Sequence, residues 1–163
     1  MSVQSILEKL NKLISIHEKL LELSKEKTNI VKEGNAEKLQ AKLIQERKMV
    51  LQLAQVEESR QKEVDEWFSV RGLSNEEATV TNLINNIEND EEKRLLAEKA
   101  VYLTEVVVNL KQQEQLNMAL IQQSMQFVQL SIDLLSPSLK NINYSKDKEG
   151  ESQINRSVFD SKA

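Results

Sequence analysis

Cysteine is absent from this sequence, and turn-forming residues are rare, with one proline and three glycines among 163 residues. Without cysteine the chain has no disulfide framework and no thiolate chemistry, which fits a reducing compartment. The scarcity of glycine and proline argues against a β-sandwich or a barrel, because those folds need many turns. Aromatic residues make up only 4% of the chain, so we do not expect a deep globular core.

The chain also lacks the residue clusters that catalysis and metal binding require. His17 is the single histidine, and it lies on an apolar helix face, where a packed side chain is the better interpretation. Neither a glycine-rich phosphate loop nor a Walker lysine is present. The sequence therefore predicts no enzyme activity, no cofactor and no metal site.

Charge and hydropathy argue against two kinds of partner. The net charge is −4, and lysines and arginines are not clustered as a nucleic-acid footprint would require. A membrane span needs a run of about 18 apolar residues, which the sequence lacks. The first residues, MSVQSILEKLNKL, have no basic region followed by an apolar block. We therefore expect no signal peptide, no stable membrane insertion and a cytoplasmic location.

The chain is rich in the residues of long helices, with 29% charged side chains mixed with leucine and glutamine. Apolar residues at three- and four-residue spacing predict long helices over residues 2–32, 36–69 and 91–135. Gly34 fits a left-handed helix end and Asn35 fits the next N-cap, which leaves open a hairpin or one kinked helix. Ser74 begins a capping-box pattern that predicts a short helix ending near residue 88.

These elements predict an all-α protein, namely an elongated antiparallel helical hairpin or coiled-coil-like bundle of three long helices plus a short one. Ser136 and Pro137 are expected to end the last long helix, because proline disfavours helix at the residue before it. The predicted helical domain covers residues 1–137. Residues 138–163 are charged, serine-rich and without an apolar period, and they are predicted to be a disordered tail.

The second predicted helix carries charges in the middle of its apolar stripe. Glu46, Glu57 and Arg60 lie at positions compatible with a heptad pattern. Buried charges are costly unless they are paired, so this helix either packs loosely or sets its register through ion pairs. It has too little apolar surface to cover all of the last long helix.

The stretch LNMALIQQSMQFVQLSIDLL, residues 116–135, contains no lysine or arginine, and its only charge is Asp133. At about 100° per residue, its apolar side chains form two adjacent rows with a polar strip between them. The first seam is Leu116, Leu120, Phe127, Leu130 and Leu134. The second seam is Ile121, Met125, Val128, Ile132 and Leu135. The polar strip is Asn117, Ser124 and Ser131.

The two seams together cover more than half of the helix circumference. One neighbouring helix needs an arc of only about 100°, so either two helices of the same chain cover both seams or one seam awaits a partner. Exposed contiguous apolar surface marks interaction sites, and we predict a binding site for another protein here. The predicted contacts are Leu116, Asn117, Leu120, Ile121, Ser124, Phe127, Val128, Ser131, Ile132 and Leu135.

Four segments of the sequence together resemble the FlgN-type flagellar export chaperones. They are LEKLNKLISIHEKLLELSKEKTNIV, EGNAEKL, LIQERKMVLQLAQVEESR and LNMALIQQSMQFVQLSIDLL, in that order. The resemblance covers the chain from the first helix to the end of the last. Glu114 departs from the family pattern, in which a second asparagine is expected three residues before Asn117.

The resemblance implies a cytoplasmic, helical chaperone with no catalytic role. Such chaperones hold hook-associated junction proteins, of the FlgK and FlgL type, before export through the flagellar type III apparatus. They bind the C-terminal segments of these clients, largely through their own C-terminal part, which by position is residues 116–135 here. The tail motif Val158, Phe159 and Asp160 is a further candidate, either for docking on the export machinery or for covering the empty seam.

Two other interpretations remain open. The first is a non-catalytic coiled-coil scaffold that forms a homodimer through the second seam. The second is an amphipathic helix on a membrane surface. The second is disfavoured, because basic residues, which anionic lipid attracts, are absent from residues 112–139.

Overall fold

The structure is a computed structural model, which describes the backbone of residues 2–74 and 78–160 and the side chains of residues 2–74 and 78–135. In those ranges the chain forms helices and no strands, as predicted for an all-α protein. The helices are α1 (Val3–Glu33), α2 (Ala36–Val70), α3 (Val80–Asn86) and α4 (Asp90–Asp160). The chain divides into two units, Met1–Leu120 and Ile121–Ala163.

α1 and α2 form an antiparallel hairpin around Gly34 and Asn35. Gly34 adopts the left-handed conformation with φ of 69°, and the Asn35 side chain accepts a hydrogen bond from the Lys38 amide at 3.0 Å. Glycine is favoured at such a helix end because it has no Cβ to clash. The hairpin geometry settles the question left open by the sequence in favour of two helices.

Pairs of side chains along α1 and α2 show the direction of the hairpin. Lys27 of α1 bonds to Glu46 of α2 near the turn, and Ser5 of α1 donates to Glu63 of α2 at 2.6 Å near the other end. The Glu57 carboxylate pairs instead with Arg60 of its own helix. In the charged middle of α2, Glu46 therefore forms an ion pair with α1, whereas Glu57 and Arg60 form an ion pair within α2.

The hydrophobic core of the first unit lies at the end of the hairpin away from Gly34. Trp67 and Phe68 are almost fully buried and stack edge to face, with ring centroids 5.2 Å apart. The core brings together the start of α1, the end of α2, α3 and the start of α4. Its other buried members are Val3, Ile6, Leu7, Leu10, Leu13, Val64, Leu83, Ile87 and Leu96.

The short helix α3 begins later than the sequence predicted. Its N-cap is Thr79, whose hydroxyl accepts a hydrogen bond from the Asn82 amide at 3.1 Å, and not Ser74. Both residues can cap a helix, because each carries a short hydroxyl side chain. Residues 75–77, which complete the predicted capping box, lie outside the described residues.

α4 begins as predicted and extends further than predicted. The Asn89 side chain accepts hydrogen bonds from the Glu91 and Glu92 amides at 3.0 and 3.1 Å. The helix continues through Ser136 and Pro137 to Asp160, past the end before Ser136 that the sequence predicted, and the disordered tail over residues 138–163 stays a prediction. Proline removes one helical hydrogen bond and lowers helix preference before it, but it marks a probable and not an obligatory boundary.

Candidate functional site

A layer of buried polar side chains joins α1 to α4 inside the first unit. The Asn117 amide nitrogen donates to the Ser24 carbonyl and hydroxyl oxygens at 2.9 and 3.0 Å, and the Asn117 oxygen accepts from the Thr28 hydroxyl at 2.5 Å. The Gln113 amide nitrogen donates to the same Thr28 oxygen at 2.6 Å. Asn117 is only 3% exposed, so these bonds replace the water contacts that burial removes.

One lysine links three helices in the same layer. Lys27 of α1, 5% exposed, donates to both Glu46 oxygens of α2 at 2.8 and 2.9 Å and to Glu114 of α4 at 3.0 Å. Burial alone would lower the pKa of Lys27, but hydrogen bonds and charge from Glu114 and Glu46 outweigh it and raise the pKa above its ordinary value. The ammonium therefore stays charged in the interior.

The pKa of Glu114 shifts in the opposite direction. Burial alone would raise the pKa of Glu114, but the hydrogen bond and charge of Lys27 help to lower it below its ordinary value. Glu114 is the position where the resemblance led us to expect an asparagine. In this chain the carboxylate is matched by the buried cation of α1, which gives the departure a physical reason.

The lowered pKa of Glu114 predicts an acid-dependent loss of stability. A carboxylate with a lowered folded pKa stabilises the folded state above its ordinary pKa of 4.5, and that stabilisation is lost as pH falls through the lowered value. We expect the difference in melting temperature between the natural chain and Glu114→Gln to be largest at neutral pH and to shrink below pH 4.5. Thermal unfolding of both chains from pH 7 to 3 measures it, and a constant difference would contradict the assignment.

α4 presents a different surface in the second unit. Apolar side chains of both seams are exposed, including Phe127 at 71% and Val128 at 55%. Among the described residues of this unit, the other strongly exposed apolar side chains are Met125, Leu130, Ile132, Leu134 and Leu135. Apolar side chains at this density on one described helix form a contiguous patch of the kind that marks interaction surfaces.

The polar side chains of this segment mainly form hydrogen bonds within α4. The Ser131 hydroxyl donates to the Phe127 carbonyl at 2.9 Å, as expected for serine within a helix. The Gln129 amide donates to Asp133 at 2.9 Å on the opposite side from the seams. The apolar patch is therefore uncharged except near Asp133.

The predicted contact residues fall into three structural settings. Asn117 is buried against α1 and is not available on the surface, so its place is in the polar layer and not among exposed contacts. Leu116 is exposed on the first unit, and Leu120 and Ile121 are half-buried. Ser131 is half-buried, while Ser124, Phe127, Val128, Ile132 and Leu135 are exposed. Side chains of the tail motif Val158, Phe159 and Asp160 lie outside the described residues, and that motif stays a prediction.

Sequence reasoning did not identify the α1 partners of this layer. Ser24, Lys27 and Thr28 are buried, and their three- and four-residue spacing on an otherwise apolar face was the available signal. Trp67 is buried in the core. The His17 ring hydrogen-bonds to the Leu13 carbonyl at 2.8 Å, one turn earlier, which is a local structural contact.

Neither a membrane-spanning helix nor a metal-binding cluster is present in the described part of the chain. No helix in it is both long enough and apolar enough to cross a membrane. Among residues 2–74 and 78–135, acidic and histidine side chains do not gather in the groups of three that hold a metal ion.

Similarity to known proteins identifies the class to which this helical chain belongs. Residues 1–152 match the family described as FlgN protein. The chain therefore belongs to the FlgN family of flagellar export chaperones. It is 34% identical to the uncharacterized protein YvyG of Bacillus subtilis (strain 168), over the full length of both chains. No solved structure matches the chain.

Proposed function

We propose that this protein is a cytoplasmic chaperone of the flagellar type III export pathway that holds the C-terminal segments of hook-associated junction proteins of the FlgK and FlgL type. Family membership supports the general role of a flagellar export chaperone. The observation that carries the finer proposal is the exposed apolar surface of α4 between Ile121 and Leu135. A chaperone for unassembled subunits needs such a surface to cover apolar segments of its client.

Binding requires no chemical step. A client segment that is disordered alone folds as an amphipathic helix on a free seam of α4, with its apolar residues against that seam. Ordering the segment costs about 2–5 kcal/mol of the gross interaction energy, which keeps the complex releasable at the export apparatus. While the segment is covered, client chains do not pair with each other.

A coiled-coil scaffold is the second candidate, because the same exposed seams fit a second copy of the chain. The two functions differ in what covers the seams. A scaffold forms a concentration-dependent dimer and has no affinity for flagellar proteins. Sedimentation of the purified chain over a range of concentrations, with and without a hook-associated protein, separates them.

The client assignment is tested by titrating the full chain with a hook-associated junction protein from the same genome, followed by calorimetry. We expect saturable binding to the intact client and loss of binding to a client that lacks its C-terminal segment. A client truncated instead at its N-terminus is the matched control and should bind as the intact protein does. Equal affinity for the intact client and its C-terminal truncation would contradict the proposal.

A further inference from the structure

The apolar residues of α4 in the second unit follow a pattern of neighbouring pairs. Three pairs of consecutive residues recur seven positions apart: Leu120–Ile121, Phe127–Val128 and Leu134–Leu135. Consecutive residues point about 100° apart on a helix. The first member of each pair therefore belongs to the first seam and the second member to the second seam. A helix that packs on one neighbour needs only one of these directions.

α1 has the same pattern, and its contacts show what the pattern is for. Its pairs are Ile6–Leu7, Leu13–Ile14 and Leu20–Leu21, again seven apart, and all but the half-buried Leu21 are buried. α1 has a neighbour in each direction. Glu26 of α1 pairs with Lys42 of α2, Thr28 bonds to Asn117 of α4, and Lys27 bonds to both helices through Glu46 and Glu114. In α1, the paired apolar rows therefore occur on a helix that packs between two other helices.

The charges of the α4 segment restrict what could lie on these rows. Residues 116–135 carry no positive charge, and Asp133 is the single negative charge. A helix with acidic residues at the edge of its apolar face would find no cation here to pair with. A helix with neutral edges, or with a lysine or arginine level with Asp133, has no such penalty.

The structure points to a partner that supplies two helices, and we propose that one helix packs on each seam of α4 between Leu120 and Leu135. Both helices are amphipathic, and their edges are neutral or basic. Ser131 and its neighbour in the polar strip, Ser124, are small and lie under the line where the two partner helices meet, so they let both approach closely. This inference rests on the proposed function, because the client is the partner that brings the two helices.

The test compares two variants that add the same two charges at the same spacing, each on a different seam. Phe127→Asp with Leu134→Asp places two charges on the first seam, and Val128→Asp with Leu135→Asp places them on the second. All four residues are exposed, so the first unit should remain folded. Ala119→Asp with Gln126→Asp adds the same charge with the same spacing on the polar side and is the control.

We expect each seam variant to weaken binding of a full-length FlgK-type protein from the same genome by about 30-fold or more, while the control binds as the natural chain does. If one seam variant binds as the control does, a single helix covers the site and the inference is refuted. If the natural chain self-associates through these seams and the client competes with that dimer, a second copy is an occupant and the inference is also refuted. If the natural chain binds no hook-associated protein, the proposed function fails, and this inference fails with it.

A fluorescence measurement tests the same two-helix arrangement without added charges. The chain has no cysteine, so Phe127→Cys and Val128→Cys each create a single labelling position, one on each seam. With an environment-sensitive fluorophore, both positions should shift to shorter emission wavelength when the client binds. A shift at only one of the two positions would refute the two-helix arrangement.

Discussion

Replacing Trp67 by alanine is expected to lower the free energy of unfolding by about 3–5 kcal/mol, the usual cost of removing a large buried aromatic side chain. Trp67 is 1% exposed and contacts the Phe68 ring edge to face. It also lies under the Arg71 guanidinium, whose central carbon is 3.8 Å from the ring centroid. The melting temperature should fall by about 10 °C or more. Thermal and urea unfolding followed by circular dichroism measures both quantities.

Two further substitutions show that the loss comes from the core. Phe127→Ala removes an aromatic ring from the exposed part of α4 and should change the free energy of unfolding by no more than about 0.5 kcal/mol. Trp67→Phe keeps a ring in the core and removes the indole nitrogen, which has no hydrogen-bond partner among the described residues. It should cost about 1 kcal/mol. A Trp67→Ala protein as stable as the natural chain would contradict the placement of the core.

Replacing Lys27 by methionine is expected to lower the free energy of unfolding by about 2–3 kcal/mol. The substitution leaves the Glu46 and Glu114 carboxylates close together without their shared cation, and removing one partner of a buried ion pair is costly. The effect is smaller than for a fully buried pair, because the Glu46 and Glu114 side chains are 22% and 38% exposed and solvent screens them. Urea unfolding at neutral pH measures the loss.

The matched control for Lys27 is Lys25→Met on the same helix. Lys25 is exposed and, among the described residues, pairs with Glu22 one turn earlier, so this substitution should change stability by no more than about 0.5 kcal/mol. Adding Glu46→Leu and Glu114→Leu to Lys27→Met should restore stability, because apolar side chains of suitable volume can replace a buried ion pair. If Lys27→Met is as stable as Lys25→Met, the ion pairs do not hold the three helices together.

The restored triple variant also addresses why the chain retains this charge cluster. A buried polar group specifies the register of coiled coils in well-attested cases. Lys27 contacts α2 and α4 at once, so it ties both to one level of α1. An apolar layer would be compatible with several axial positions of α4, because apolar contacts are not directional.

Local features were predictable from the sequence because they depend on neighbouring residues. Gly34 and Asn35 form the predicted helix end and cap, and α4 begins at Asp90, next to the predicted start at residue 91. α4 continues past Ser136 and Pro137, where the sequence predicted its end, because a single proline weighs against helix without forbidding it. Thr79 caps α3, whereas the capping box predicted to begin at Ser74 includes residues 75–77 outside the described part of the chain and stays a prediction.

Contacts between residues far apart in the sequence were not predictable from local patterns. The sequence places Asn117 in one polar strip with Ser124 and Ser131, because the three residues are seven positions apart. The structure places Asn117 under α1, against Ser24 and Thr28, about ninety positions earlier in the chain. Nothing near Asn117 in the sequence identifies those partners.

The sequence by itself determined that the chain is helical, where its first two helices separate, and that residues 116–135 carry two apolar rows. These properties follow from residue spacing and from the conformational preferences of single residues. Only the tertiary structure decided that α1 lies between α2 and α4, that Lys27 is shared by two carboxylates, and that the rows beyond Ile121 are exposed. These depend on which distant helices meet, and the free energy of such contacts depends on geometry that no local pattern contains.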